Sequence, residues 1–214
     1  MKKFILATAV VASSAIALQA FRSAPVLPGT SSTATPPLWA DQWKLDKSHS
    51  NVRFTITHNV VSQMDGAFTG FDGTFENTKP DYSDAKITFT IETGSINTFN
   101  ENRDKHLKSA DFFDAEKYPQ IKFESTAFKP LGGNKYKLEG NMTVKDITKA
   151  VSFDVTYGGA TNGQRGARAG FVAHTVINRF DYNLKWDRAT EAGGLVVGKE
   201  VSVTINAELM KPNN

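Results

Sequence analysis

The chain of 214 residues contains no cysteine. That excludes disulfides, thiolate metal ligands, a cysteine nucleophile and a lipid anchor through an N-terminal cysteine, so stability has to come from packing. A large charge of one sign is also lacking, because 25 Lys and Arg face 22 Asp and Glu. Residues 1–20 hold two of those bases, Lys2 and Lys3, and no acid, so the rest of the chain has 23 against 22, a net of +1. Such a balance offers no electrostatic footprint for nucleic acid. Long apolar runs are scarce too. Phe4–Leu18 is interrupted by Thr8, Ser13 and Ser14 and is shorter than the roughly 20 apolar residues that span a bilayer.

That run follows Lys2-Lys3 and ends at Leu18-Gln19-Ala20, the pattern of a cleaved secretory signal peptide over residues 1–20. Ser23-Ala24 and Trp39-Ala40 precede alternative cut positions. The expectation is a periplasmic or secreted protein. Residues 21–42 concentrate Pro25, Pro28, Pro36 and Pro37 with Gly29 and many Ser and Thr, the composition of a linker or disordered tail. The folded domain is expected over residues 43–212.

What the chain has in quantity is phenylalanine, 15 residues against 3 Trp and 5 Tyr, which points to an unusually apolar interior. Apolar residues recur with period two. Val52, Phe54 and Ile56 alternate with Arg53, Thr55 and Thr57; Ile87, Phe89 and Ile91 with Thr88, Thr90 and Glu92. Ile121 and Phe123, Tyr136 and Leu138, the run Val151 to Tyr157, and Val201 to Leu209 continue the pattern. These are strands with one buried face. Lys79-Pro80-Asp81, Gly132-Gly133-Asn134, Lys145-Asp146, Gly158-Gly159 and Asn162-Gly163 read as the turns between them. Alternation fails only over Thr98 to Tyr118, where Asn100, Asn102 or Thr98 would cap a short helix ending at Leu107 or Lys108. The fold class is therefore all-β, an antiparallel up-and-down β-barrel of about eight strands with one short helical insertion, preferred over a two-sheet sandwich because short turns link neighbours in chain order.

A barrel of about eight strands is either filled by its own side chains or holds one small ligand. Both readings are open on composition alone, but a lining of Val, Ile, Phe and Leu admits only an apolar ligand.

Several segments resemble one known family. Asp46 with Ser48-His49-Ser50, then Phe54 and His58, match the opening of the YceI-like polyisoprenoid-binding proteins. The stretch from Asn102 to Asp114, continuing through Lys117-Tyr118-Pro119 to Phe123-Glu124-Ser125-Thr126, is similar to that family's most specific signature. So are Gly140 to Val144 with Thr148 to Val151, and Asn178-Arg179-Phe180-Asp181-Tyr182, where Asn183 stands in place of the family's glycine. The resemblance runs from Trp43 to Leu209. It implies a lipocalin-like barrel holding a long isoprenoid lipid, of polyprenyl phosphate or quinone type, for carriage or storage. The candidate ligand-binding residues are Phe54, Ile56, Phe68, Phe89, Ile91, Arg103, His106, Phe112, Phe123, Leu138, Phe153, Val155, Phe171, Val203 and Ile205. No catalytic residue, metal ligand or cofactor other than the lipid is expected. Transient contact with a membrane surface is one partner reading, and the oligomeric state is open, a homodimer included.

On a helix, Arg103, His106 and Leu107 share one face. That face either meets a lipid head group at the barrel mouth or forms a clasp, in which Arg103 pairs with Asp104 or Asp111, His106 bonds backbone, and Leu107, Phe112 and Phe113 plug one end. The clasp is the favoured reading. His58 continues the phase of Val52, Phe54 and Ile56, and His174 that of Val172 and Val176, so both read as buried histidines; the four histidines share no metal-binding spacing. Arg165 and Arg168, among glycines, read as a solvated hairpin tip with anionic lipid contact as the alternative. An enzyme acting on a lipid-like substrate is the competing function, and it finds no nucleophile elbow or phosphate loop in the sequence.

Overall fold

A computed structural model describes residues 41–163, 166–188 and 194–211; the signal-peptide expectation and most of the linker lie outside them. Eleven strands follow in order: β1 (Asp41–Leu45), β2 (Asn51–His58), β3 (Ser62–Phe68), β4 (Phe71–Asn77), β5 (Lys86–Glu92), β6 (Ile96–Asn97), β7 (Gln120–Gly132), β8 (Lys135–Val144), β9 (Ile147–Gly163), β10 (Gly166–Asn178) and β11 (Val197–Lys211). One helix, α1 (Glu101–Lys108), intervenes between β6 and β7. The first strand starts at Asp41, inside the stretch read as linker.

The pairing reduces these segments to eight barrel strands. β1 and β2 both pair antiparallel with β11, at Leu45 with Leu209 and then at Val52 with Ile205, so they are two halves of one strand broken at Asp46–Ser50. β3 and β4 are likewise halves of the next strand, facing β2 and β1 respectively, and β5 and β6 face β4 and β3. β7 to β11 then follow in chain order, and β11 closes on β1 and β2. The result is a closed meander with every neighbour consecutive, which removes the sheet edges.

The interior takes the apolar phase. Val52, Ile56, Phe123, Leu138, Phe153 and Val155 are buried, while Arg53, Lys122, Ser152 and Asp154 are exposed. This outward charge is the reverse of a membrane-spanning barrel, whose outer face is apolar. Strand β10 corrects the phase expected from Val172, His174 and Val176. Those three point outward, and Phe171, with Ala173 and Ile177 in the same register, faces the core. Two apolar phases competed along this strand, and the one bearing the large Phe171 ring was buried. His58 is exposed as well, at the end of β2. Gly158-Gly159 is no turn; both lie inside β9, where Gly159 takes φ of 109° beside the register shift at Gly170–Phe171 and bends the strand without ending it.

Candidate functional site

Among the described residues, the chain turns at one end of the barrel at 78–85 and 131–134, where β9 also passes to β10, and at the other end at 59–61, 98–119, 145–146, 179–188 and 194–196. The first end is closed by rings. Phe128 stacks on Tyr136 at 4.7 Å and meets Phe75 edge-on at 6.0 Å, Phe75 lies 5.4 Å from Phe171, and Tyr82 reaches Phe75, Tyr157 and Phe171 at 5.5 to 5.7 Å. Offset and edge-to-face contacts of this kind add to the burial each ring gains. Inward from this plug lies an apolar cavity of about 110 Å³, walled by Phe89, Phe123, Leu138, Phe153, Val155, Phe171, Val203 and Ile205 among others.

A second cavity, of about 280 Å³, occupies the opposite half and reaches the mouth. Its walls include Phe54, Ile56, Phe68, Arg103, His106 and Phe112, and it shares Met142 and Val203 with the first. Well-packed interiors contain few voids larger than one water. Apolar space of this size left unfilled costs on the order of several kcal/mol, so the barrel is built around room rather than filled by its own side chains. Glycine makes part of that room. A Cβ at Gly66 would run into the Phe54 ring, and one at Gly140 into the Phe123 ring and the Glu124 carbonyl, so each ring lies flat across the neighbouring strand.

Of the fifteen residues expected to bind ligand, fourteen line one cavity or the other. Ile91 does not; it pairs with Phe71 and Ile121 across the sheet and packs against the core without reaching either space. Strand alternation did not single out Met64, Tyr182, Leu184 and Trp186, which also wall the larger cavity. Three of these sit after the last inward-facing position of β10, where strand periodicity has ended.

Asn100 caps α1, its side chain accepting from the Arg103 amide at 3.0 Å. Arg103, His106 and Leu107 all face the larger cavity, yet the clasp is wired differently from the expected one. Arg103 donates through Nε to the Thr98 hydroxyl at 2.7 Å and through Nη2 to the Thr98 carbonyl at 2.6 Å, and pairs with neither Asp104 nor Asp111. Asp104 accepts from the Thr98 amide at 2.9 Å and hydroxyl at 2.5 Å. The charges meet through Thr98, which is 2% exposed. His106 Nε2 lies 3.0 Å from the Asp111 carboxylate, where a backbone bond was expected, and its ring abuts Phe112 at 5.2 Å and Trp186 at 4.9 Å.

Across the mouth, Asn178 accepts from the Phe180 amide and opens a short 3-10 turn, Arg179–Tyr182. Asn183, in the family's glycine position, takes the left-handed conformation with φ of 58°, which asparagine tolerates better than most residues. Arg179 is buried and donates to the carbonyls of Leu184, Trp186, Val197 and Gly198, tying this segment to the start of β11. Burial pulls its pKa down, opposed by Asp187. Burial also pushes the Tyr182 phenol up to about 12, and among the described residues its hydroxyl has no hydrogen-bond partner.

Arg168 is not at a hairpin tip. It lies within β10 and donates to Asp46 at 2.8 Å and to Glu208, closing a latch at the break between β1 and β2 (Arg165 is outside the described residues). Ser48 and His49 complete the latch on Asp46. Asp46, His49 and Glu208 are gathered closely enough to hold a cation, and the Arg168 guanidinium already supplies positive charge to both carboxylates. Ser48, His49 and Asp46 also have the residue types of a nucleophilic triad. Here one ring nitrogen, His49 Nδ1, faces both the Ser48 hydroxyl at 3.2 Å and Asp46 at 2.9 Å, whereas a triad uses opposite nitrogens.

A scan of known families matches the YceI-like domain over residues 43–209. The chain belongs to the YceI-like family. Curated relatives include a UPF0312 protein of Staphylococcus aureus (strain N315), 38% identical over 165 residues, which covers 76% of this chain and 94% of the relative. Among solved structures, Burkholderia cenocepacia BcnA has a TM-score of 0.66 at 26% identity, covering 77% of this chain and 98% of that one. A Campylobacter jejuni YCEI protein has 0.62 at 28%, covering 79% and 97%. A polyisoprenoid binding domain from Saccharophagus degradans has 0.56 at 13%, covering 79% and 98%, and shares the fold. This YceI-like barrel thus has its relatives' architecture along the length of their chains.

Proposed function

We propose that the protein holds one long isoprenoid lipid, of polyprenyl phosphate or quinone type, inside the barrel for carriage or storage in the periplasm. The observation that carries this reading is the apolar interior, two cavities of about 280 and 110 Å³ that share Met142 and Val203 as wall residues. Residues from Val197 to Leu209 of β11 wall them in succession, so at about 3.3 Å per residue the space extends along much of the barrel. A chain of repeated apolar units fits such a space better than a compact solute does. The ionisable side chains in the walls, among them Arg103, His106 and Arg179, belong to the mouth half, which favours a head group there and the tail toward Phe171. The polyisoprenoid-binding domain of Saccharophagus degradans, with the same fold, supports the ligand class. Binding of this kind needs no metal and no chemical step, and makes the protein a carrier rather than an enzyme.

Native mass spectrometry of the protein purified from its own host tests the reading. The expected result is one lipid per chain with the mass of a prenyl compound. Protein that arrives empty, or carrying a compact polar molecule, overturns it.

A further inference from the structure

Among the described residues, the large apolar side chains most exposed to water are Val61 and Phe99, each at 86%, followed by Val60 at 65%. All three are at the mouth. Val60 and Val61 form the tip between β2 and β3, and Phe99 sits between β6 and α1, after a strand that pairs with β3 at Ala67 and Phe68, so it belongs to the same end of the barrel two strands along from the tip's start. The tip is held in place, since Asn59 donates to the Val196 carbonyl at 2.8 Å and Val61 to the His58 carbonyl at 3.2 Å. His58 and Val196 both line the larger cavity. Phe99 is fixed through its amide on the Asn97 side chain at 2.8 Å. Val60 and Phe99 have φ of 65° and 62°, a conformation that a β-branched or bulky residue adopts only at a cost. The backbone is therefore strained in order to present apolar groups to solvent, beside the opening of an apolar cavity.

We infer that this rim, Val60, Val61 and Phe99, is the surface by which the protein docks on a lipid bilayer. His58 to Ser62 contains no Asp, Glu, Lys or Arg, and after Phe99 the bases Arg103 and Lys105 are matched by Glu101 and Asp104, so the attraction is to the apolar phase of the membrane and not to anionic head groups. Exposed large apolar residues gathered on one end of a protein mark an interaction site, and the cavity that opens at that end selects the partner. A long apolar chain leaving the barrel at this rim would have to cross water unless the rim were already seated in lipid. The inference goes beyond lipid holding, and draws on that reading only for the direction of exchange.

The absence of cysteine makes the test clean, because Val61→Cys, Phe99→Cys and Leu131→Cys in the full chain each give one labelling site. Leu131 is exposed at the closed end and serves as the comparison. Each variant carries a nitrobenzoxadiazole label and is mixed with phosphatidylcholine vesicles. Labels at 61 and 99 are expected to brighten several-fold and shift to the blue, with little change on raising salt, while the label at 131 stays water-like. Each label reports its own surroundings, so attachment of the vesicle through residues 1–20 does not imitate the result. No response at 61 and 99, an equal response at 131, or a response that needs anionic lipid and vanishes in salt overturns the inference. Lipid loading of the same samples, read by mass, separates the two proposals. Embedding without loading sinks carriage and leaves the rim standing, and loading with a wet rim sinks the rim alone.

Discussion

The two ends of the barrel turn their chains by different means. At the closed end the positive φ angles fall mostly on glycine, at Gly132, Gly133, Gly159 and Gly166, with Tyr82 the exception. At the mouth, among the described residues, they fall on Asn59, Val60, Phe99, Asp114, Lys145 and Asn183, none of which is glycine. Glycine adopts that conformation without steric penalty, whereas other residues pay for it. Buried polar atoms without a hydrogen-bond partner divide the same way, since among the described residues these are Tyr182 Oη and Asp187 Oδ2, the latter 3.6 Å from Arg179, and both are in the mouth segment after β10. One end is assembled from relaxed turns and interlocked rings, and the other carries strain and unfilled space. Strain collects where a structure has a task besides standing up, and local opening is drawn from the less stable parts of a fold.

The largest test of this contrast breaks the closed half. Phe153 is 5% exposed in the wall of the smaller cavity, and Phe153→Asp would bury an unpaired charge at a cost of several kcal/mol, enough to unfold a domain of ordinary stability. Ser152→Asp, one residue away on the outer face, is expected to shift the urea midpoint little. Phe128→Ala comes next. It removes a ring that is 3% exposed between Phe75, Tyr136 and Phe171, for a loss of about 3–5 kcal/mol in chemical unfolding. Trp186→Ala at the mouth sharpens the comparison. Its half-buried ring rests on His106 and Phe112, so it should cost less than about 2 kcal/mol while lowering retention of a loaded prenyl lipid by more than Phe128→Ala does per unit of stability lost. Equal effects of the two would erase the distinction between ends.

The closed half was also the more legible in the sequence. Period-two alternation placed Phe89, Phe123, Leu138, Phe153, Val155 and Ile205 on the inner face because a closed meander has one inside, and each strand votes independently for it. The same rule misplaced His174, since β10 carries apolar residues on both faces and alternation alone does not say which is in. Periodicity is also silent about positions outside strands. Tyr182, Leu184 and Trp186 enter the cavity wall through a 3-10 turn and an irregular segment whose course is set by Arg179, one guanidinium against four carbonyls contributed by two regions. The helix and its Asn100 cap were readable from local chemistry. The clasp partner was not, because Thr98 lies before the helix and has neither charge nor apolar phase to mark it.

Arg103→Ala measures that clasp. The substitution deletes two bonds to Thr98 but leaves Asp104 its own bonds to the same residue, so the loss of apo stability should be about 1 kcal/mol. A head-group role would add a further loss of prenyl phosphate retention that Leu107→Ala, a packing control on the same face, does not show.

The smallest effect at neutral pH belongs to the latch at the closed end, and acid makes it visible. The Ser48 hydroxyl first, then Arg168 and His49, hold the Asp46 carboxyl well below the usual carboxylate range, so the folded protein binds this proton less readily than the unfolded chain. Linkage then gives the sign. The stabilisation is complete above the ordinary aspartate pKa of about 3.9 and is lost as pH falls below it toward the lowered folded value. Urea unfolding measured at successive pH values should therefore show stability falling with acid in the native chain, and a shallower fall in Asp46→Asn, which keeps the shape of the side chain and removes its charge. Arg168→Gln should flatten the same limb in part, because Ser48 and His49 still face Asp46. If all three chains lose stability in parallel, Asp46 does not govern the acid response, and the break between β1 and β2 is held by its backbone bonds to β11 alone.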